Sequence, residues 1–332
     1  MKEYFVDSRS GGLGDVLMRL GGLATATSLL PSVHIHVVVK PSLHRLAKIG
    51  FGSFLVVEEE ATARHISFTS RGLRHLLPAV VRGHRFLAPY HATKLKFRRR
   101  RRFVVDTLNN AAFRLLDRFG LVFVPPVDAL RYYQGYFEAL MIPEFRRLEW
   151  DVFAERLRSV ARSVQASLRA AVQPDSDGAK GVAVFPSGTA HQHMPVWWAK
   201  QHLPEATYWF FEQDPTRRDY EGAGLQTRCF GANALEVLEA MASSRWTVST
   251  DSFPSHAAQW FTDRATLCMA ELPPIHIVRP GFDGVVVESA APCCPCLHLE
   301  KIGHPLCEAG HTDCLTWSSA DYSLAIVRSI PT

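Results

Sequence analysis

The sequence predicts an α/β protein made of two Rossmann-like domains, and three observations carry that prediction. Short β-branched or aromatic runs alternate with longer segments of helical periodicity, the pattern of parallel α/β architecture. The alternation is interrupted by the polar, turn-rich segment Gln173-Pro174-Asp175-Ser176-Asp177-Gly178-Ala179-Lys180 and then resumes. A length of 332 residues, 47% hydrophobic and 21% charged, gives each half enough chain for a core of its own. Two such halves are expected to face a central cleft, with ligands bound outside the carboxyl ends of their strands.

Taken in order, the N-terminal half has predicted strands at Tyr4 to Val6, His34 to Val39, Phe54 to Val57 and Leu121 to Val124. Helical spacing follows over Tyr132 to Met141 and Trp150 to Val172, where Phe153, Leu157, Val160, Val164 and Leu168 form one apolar stripe. Residues 1–172 are therefore expected to form the first domain and 173–180 the linker. The second series has predicted strands at Gly181 to Phe185, Thr207 to Phe211, Trp246 to Ser249, Ala265 to Met269 and Ile275 to Val278. It places the second domain at 181–316, with a cysteine-rich loop over 293–314. The last segment, 317–332, is expected to be a helix that packs back on the first domain.

Charge and composition narrow the partners. No apolar run approaches the roughly 20 residues that span a bilayer, and the N-terminal Lys2-Glu3-Tyr4-Phe5-Val6-Asp7 is unlike a signal peptide, so a cytoplasmic location is expected. The net charge of +5 is concentrated at Lys94, Lys96 and the run Arg98-Arg99-Arg100-Arg101-Arg102. This block reads either as a solvated loop or as a dock for an anionic acceptor: a lipid-linked glycan, a protein or a nucleic acid. A nucleic-acid-binding protein using that block is a third reading, but the cysteine region lacks the interleaved basic and aromatic residues of such a module. Cys293-Cys294-Pro295-Cys296 with Cys307 and Cys314 crowds five thiols together. In a cytosolic chain this suggests a structural zinc or iron held by Cys293, Cys296, Cys307 and Cys314, or else unpaired structural cysteines.

Three loops at predicted strand ends carry the chemistry. Gly11-Gly12-Leu13-Gly14-Asp15 follows the first strand and leads into the apolar-periodic Val16, Leu17, Leu20 and Leu23. Glycines allow a ligand close to backbone N–H groups at a helix N-terminus, whereas Asp15 could equally be a cap of the helix. Pro186-Ser187-Gly188-Thr189-Ala190-His191-Gln192-His193-Met194-Pro195 follows the first strand of the second half. Its hydroxyls, backbone donors and histidines suit a diphosphate, and Pro195 suits a helix start. Ser249-Thr250-Asp251-Ser252-Phe253-Pro254-Ser255-His256 places four hydroxyls, an acid and a histidine at one helix start, more than capping needs.

In this order and separation, the three loops resemble the motifs of the heptosyltransferase-like enzymes of glycosyltransferase family 9. Gly14-Asp15 matches the family's Gly-Asp, Pro186-Ser187-Gly188 and Pro195 match its Pro-Ser-Gly turn and the proline of its Lys-x-Trp-Pro element, and Asp251-Ser252, Pro254, His256 and Ala258 match its third motif. Two positions depart: Gln192 or His193 stands where the family has lysine, and Phe253 where it has glycine. The resemblance implies a GT-B architecture and inverting transfer of a hexose or heptose from a nucleoside-diphosphate donor, ADP-linked, without a catalytic metal. It implies Asp15 as general base. Gly12, Gly14 and Arg98 to Arg102 would serve the acceptor, and Ser187, Gly188, Thr189, Gln192, His193, Thr250, Asp251, Ser252 and His256 the donor.

Overall fold

The computed structural model describes residues 2–9, 11–62, 66–67, 86–87, 115, 122–123, 135–136, 139–140, 142–145, 147–172, 181–188, 193–269, 274–289, 317 and 319–331. The predicted linker 173–180, the arginine block Arg98 to Arg102, Thr189 to Gln192 and all five clustered cysteines lie outside them. The chain forms two compact units, Met1–Val160 and Ala161–Thr332.

In unit 1, β1 (Lys2–Asp7), α1 (Leu13–Leu29), β2 (Val33–Val38), α2 (Pro41–Phe51), β3 (Val56–Glu58) and β4 (Ile66–Ser67) form a parallel sheet of order β3-β2-β1-β4. A further parallel pair joins β5 (Phe86–Leu87) to β6 (Val122–Phe123). The expected strand at Phe54 to Val57 starts two residues later because the N–H groups of Phe54 and Leu55 both donate to the carbonyl of Phe51, closing the end of α2. Helix α1 is buried on every side from Val16 to Ala26, as expected of a helix without a polar face. A Cβ built on its Gly22 would lie 1.8 Å from the carbonyl oxygen of Gly135, so only glycine permits this approach of main chain to main chain. The long helix α3 (Trp150–Ala171) matches its periodicity, and Phe153, Leu157, Val160, Val164 and Leu168 are all buried. The division between the units falls inside α3.

Unit 2 contains β7 (Val182–Phe185), α4 (Val196–His202), β8 (Thr207–Phe211), α5 (Arg217–Gly222), β9 (Thr227–Phe230), α6 (Ala234–Ala242), β10 (Trp246–Thr250), α7 (Phe253–Phe261), β11 (Ala265–Met269), α8 (Pro274–Ile277), β12 (Val285–Glu288) and α9 (Ala320–Ser329). The all-parallel sheet has order β12-β11-β10-β7-β8-β9. The chain builds outward from β7 in one direction through β8 and β9, then restarts at β10 on the other side of β7. The point of reversal lies between β7 and β10, and open α/β sheets bind ligands in the crevice at such a point.

One predicted strand is corrected. Ile275 to Val278 falls within and just after the helical turn α8, because Pro274 fixes the opening φ for a helix and the run is too short for periodicity to separate the two states. The edge strand is instead Val285–Glu288, paired with β11.

The core of unit 2 is aromatic. Trp198, Tyr208, Phe210, Tyr220, Trp317, Tyr322 and Ile326 are buried together, so α9 makes its described core contacts with unit 2. Their polar atoms mostly find partners: Trp198 Nε1 donates to Ser323 Oγ at 2.7 Å, and Tyr208 Oη donates to the carbonyl of Leu203 at 2.8 Å. No helix among the described residues is long and apolar enough to cross a membrane.

Candidate functional site

The first candidate site forms where β1 gives way to α1. The N–H of Ser8 donates to the Val38 carbonyl at 2.8 Å and ties the loop to β2. Asp7 then takes Arg9 in a bidentate grip, with Nε at 2.8 Å and Nη2 at 2.7 Å. Gly11 has φ +90°, a left-handed conformation that glycine adopts without strain. Gly12 is the N-cap, so Leu13, Gly14 and Asp15 are the first three helical residues. Asp15 reaches back, and its Oδ2 accepts the N–H of Gly12 at 3.0 Å. This is the return half of a capping box, whose forward half glycine cannot supply. The cap anticipated for Asp15 is therefore formed.

Two cations that sequence reasoning did not single out stand beside this turn. Lys40, the N-cap of α2, donates its Nζ to the Gly11 carbonyl at 2.5 Å. Arg19 is buried one turn beyond Asp15, with Nη2 3.5 Å from the position that a Cβ on Gly11 would take. The spacing of Asp15 and Arg19, four residues apart on one helix, was a readable signal for an acid and base on one face.

The second candidate site lies at the point of strand reversal in unit 2, and it brings two of the predicted loops together. β7 and β10 are hydrogen-bonded neighbours, so the loops leaving their carboxyl ends emerge side by side. A Cβ on Gly188 would lie 2.6 Å from Ser252 Cβ and 3.2 Å from the Asp251 carbonyl oxygen, so the two loops are in main-chain contact. Thr250 is fully buried and its hydroxyl reaches the carbonyl of Phe185 at 3.4 Å, joining the two strand ends. Around the start of α7 the hydroxyls donate to nearby carbonyls: Ser252 Oγ to Thr250 at 3.1 Å and Ser255 Oγ to Ser252 at 2.7 Å. These bonds fix the loop, whereas Asp251 and His256, 7% and 9% exposed, are the buried ionisable groups at its mouth.

The β7 loop is closed where it returns, since the N–H of Met194 donates to the Pro186 carbonyl at 2.8 Å and the Tyr220 hydroxyl donates to the Met194 carbonyl. Ser187 donates its hydroxyl to Asp214, which the sequence reading missed although Asp214-Pro215-Thr216 has the composition of a turn. Asp214 also accepts the Thr216 N–H at 2.9 Å and the Thr216 hydroxyl at 2.7 Å. Burial pushes its pKa up, but the bonds from Ser187 and Thr216 and the nearby charge of His193 outweigh it, so the carboxyl sits below its ordinary value. Ser187 thus turns its proton toward Asp214 and offers lone pairs elsewhere. His193 is exposed at the same loop.

The folded-state pKa of Asp214 is depressed, so its contribution to stability is present above the ordinary carboxylate range and is lost as pH falls through the folded value. Asp214→Asn should lower stability at neutral pH by about 1 kcal/mol, a figure kept small because the group is only partly buried. Melting temperatures of variant and wild type, measured from pH 7 down to pH 3, should draw closer as pH falls below the ordinary carboxylate range; a constant gap would show that the charge contributes nothing.

No family model and no curated protein matches the chain. Solved structures similar to it include the E. coli heptosyltransferase WaaC with ADP, at 14% identity and TM-score 0.46, covering 86% of this chain and 93% of that one. E. coli ADP-heptose LPS heptosyltransferase II is similar at 15% identity and TM-score 0.48, covering 86% and 90%. A glycosyl transferase family 9 protein from Veillonella parvula is similar at 11% identity and TM-score 0.41, covering 87% and 86%.

Proposed function

We propose that the chain is a glycosyltransferase that moves a sugar from a nucleoside-diphosphate donor to an acceptor hydroxyl with inversion. The observation that carries this reading is the contact of the β7 and β10 loops at the strand reversal of unit 2, where Gly188 lies against Ser252. Glycine there leaves main chain, rather than side chains, at the mouth of the crevice, and α7 starts at the same place with its N-terminal N–H groups. A diphosphate is the ligand such a mouth suits, and the family 9 motif resemblance makes it ADP-linked.

In the reaction, the acceptor oxygen bonds to the anomeric carbon from the face opposite the phosphate. The bond between that carbon and the phosphate oxygen breaks, and the electron pair leaves with the nucleoside diphosphate. Asp15 takes the acceptor proton as general base. His193, Gly188 and the start of α7 offset the charge growing on the leaving diphosphate. Asp251, itself an anion, is better suited to sugar hydroxyls or to orienting backbone donors. Gly12, Gly14 and the arginine block serve an anionic acceptor.

Calorimetric titration with ADP, GDP and UDP tests the reading. One equivalent of ADP should bind, more tightly than the other two, and mass spectrometry of candidate donors should detect transferred or hydrolysed sugar. Absence of binding by any nucleoside diphosphate would overturn it.

A further inference from the structure

We infer that Lys40 is a positioning residue for Asp15, acting through the single peptide group between Gly11 and Gly12. The catalytic consequence rests on the reading of Asp15 as the base; the mechanical one does not.

A peptide unit is planar and trans, so the carbonyl of one residue and the N–H of the next point in opposite directions. Here the two ends of one such unit are both held. Lys40 Nζ donates to the Gly11 carbonyl at 2.5 Å, and Asp15 Oδ2 accepts the Gly12 N–H at 3.0 Å. The ammonium pulls on one end of the peptide dipole and the carboxylate on the other, and hydrogen bonds in such a chain polarise one another.

Why this peptide needs holding follows from its sequence. Both flanking residues are glycine, so rotation of the unit about its long axis meets little steric resistance. Gly11 already has φ +90°. A rotated unit would turn the Gly11 carbonyl toward Asp15 and set two oxygens against each other, displacing the carboxylate. A cation fixed on the carbonyl side opposes that rotation. Lys40 is well placed for this, because it stands two residues past the end of β2 and immediately before Pro41 opens α2, and β2 pairs with β1 through Asp7. Other charges described at this end of the sheet include the Asp7–Arg9 pair, Arg19, and Glu58, which pairs in register with Val38 and lies 2.8 Å from His36 Nδ1; Arg9 is held by Asp7, and Arg19 approaches from the helix side.

The test uses the full chain with Lys40→Met, which keeps the stem and removes the charge, and Lys40→Arg, which restores a donor. In protein labelled with ¹⁵N-glycine, the Gly12 amide should exchange with solvent about tenfold faster in Lys40→Met and return toward wild type in Lys40→Arg, at little change in melting temperature. In transfer assays Lys40→Met should lower kcat about tenfold while the donor KM holds, because displacing a reacting group by a fraction of an ångström acts on the chemical step. In the Asp15→Asn background the same substitution should have no further effect. An unchanged Gly12 amide in Lys40→Met overturns the inference whatever Asp15 does. A responsive Gly12 amide together with a fully active Asp15→Asn enzyme upholds the positioning role and overturns the base.

Discussion

Asp15→Asn is expected to reduce transfer by about 10²- to 10⁴-fold, the range a general base contributes, while the protein keeps its fold and its affinity for nucleoside diphosphate. The carboxylate accepts the Gly12 N–H at 3.0 Å, so capping is real, and the proposed base would be a second use of the same side chain. An asparagine oxygen can accept the same N–H and preserve the helix start, but it cannot take a proton from a hydroxyl. Asp15→Ala removes both and should cost roughly 1 kcal/mol of stability in addition. Transfer rates and melting temperatures of the two variants separate the roles, since an Asn enzyme with wild-type turnover would leave Asp15 as a cap alone.

Gly188→Ala is expected to weaken donor binding by one to two orders of magnitude, consistent with the sensitivity of bound geometry to displacements near 1 Å. The added methyl would sit 2.6 Å from Ser252 Cβ and 3.2 Å from the Asp251 carbonyl oxygen, and the latter is main chain that cannot rotate away. The loops after β7 and β10 must part, at about 1–3 kcal/mol for overpacking. Removing the closest obstacle should reverse part of the effect, so Ser252→Gly in the Gly188→Ala background should regain affinity. Calorimetry on the three proteins checks this. If Gly188→Ala binds ADP as wild type does, the contact is not part of the donor site.

What could be read in advance depended on whether local pattern or long-range pairing decided the matter. Thr207–Phe211 and Ala265–Met269 are apolar runs bounded by turn residues, and both are strands with the predicted bounds. The helix from Trp150 declares itself by a stripe of five buried residues. By contrast Thr-Arg-Cys-Phe at 227–230 has little apolar character of its own and is a strand because β8 offers it an edge. At the two candidate sites, the loops of Gly12 and Asp15 and of Gly188 and Ser252 could be singled out by their glycines, acid and hydroxyls. Lys40 and Asp214 could not, since each matters through a partner 29 or 27 residues away that only the pairing of strands brings near.

Gly22 meets Gly135 through bare backbone, and this bears on how the turn at Asp15 can evolve. Side-chain packing is forgiving, because a methyl lost on one residue can be regained on a neighbour while the helix drifts slightly. A stop made of main-chain atoms offers no such compensation: α1 sits at a depth fixed by the van der Waals radii of a carbonyl and a methylene. The carboxylate lies seven residues earlier on the same rigid helix, about 10 Å along its axis. Substitutions among Leu17, Leu20 and Leu23 can therefore accumulate with their cost felt in stability, while the coordinates of the carboxylate oxygen stay where the two glycines put them.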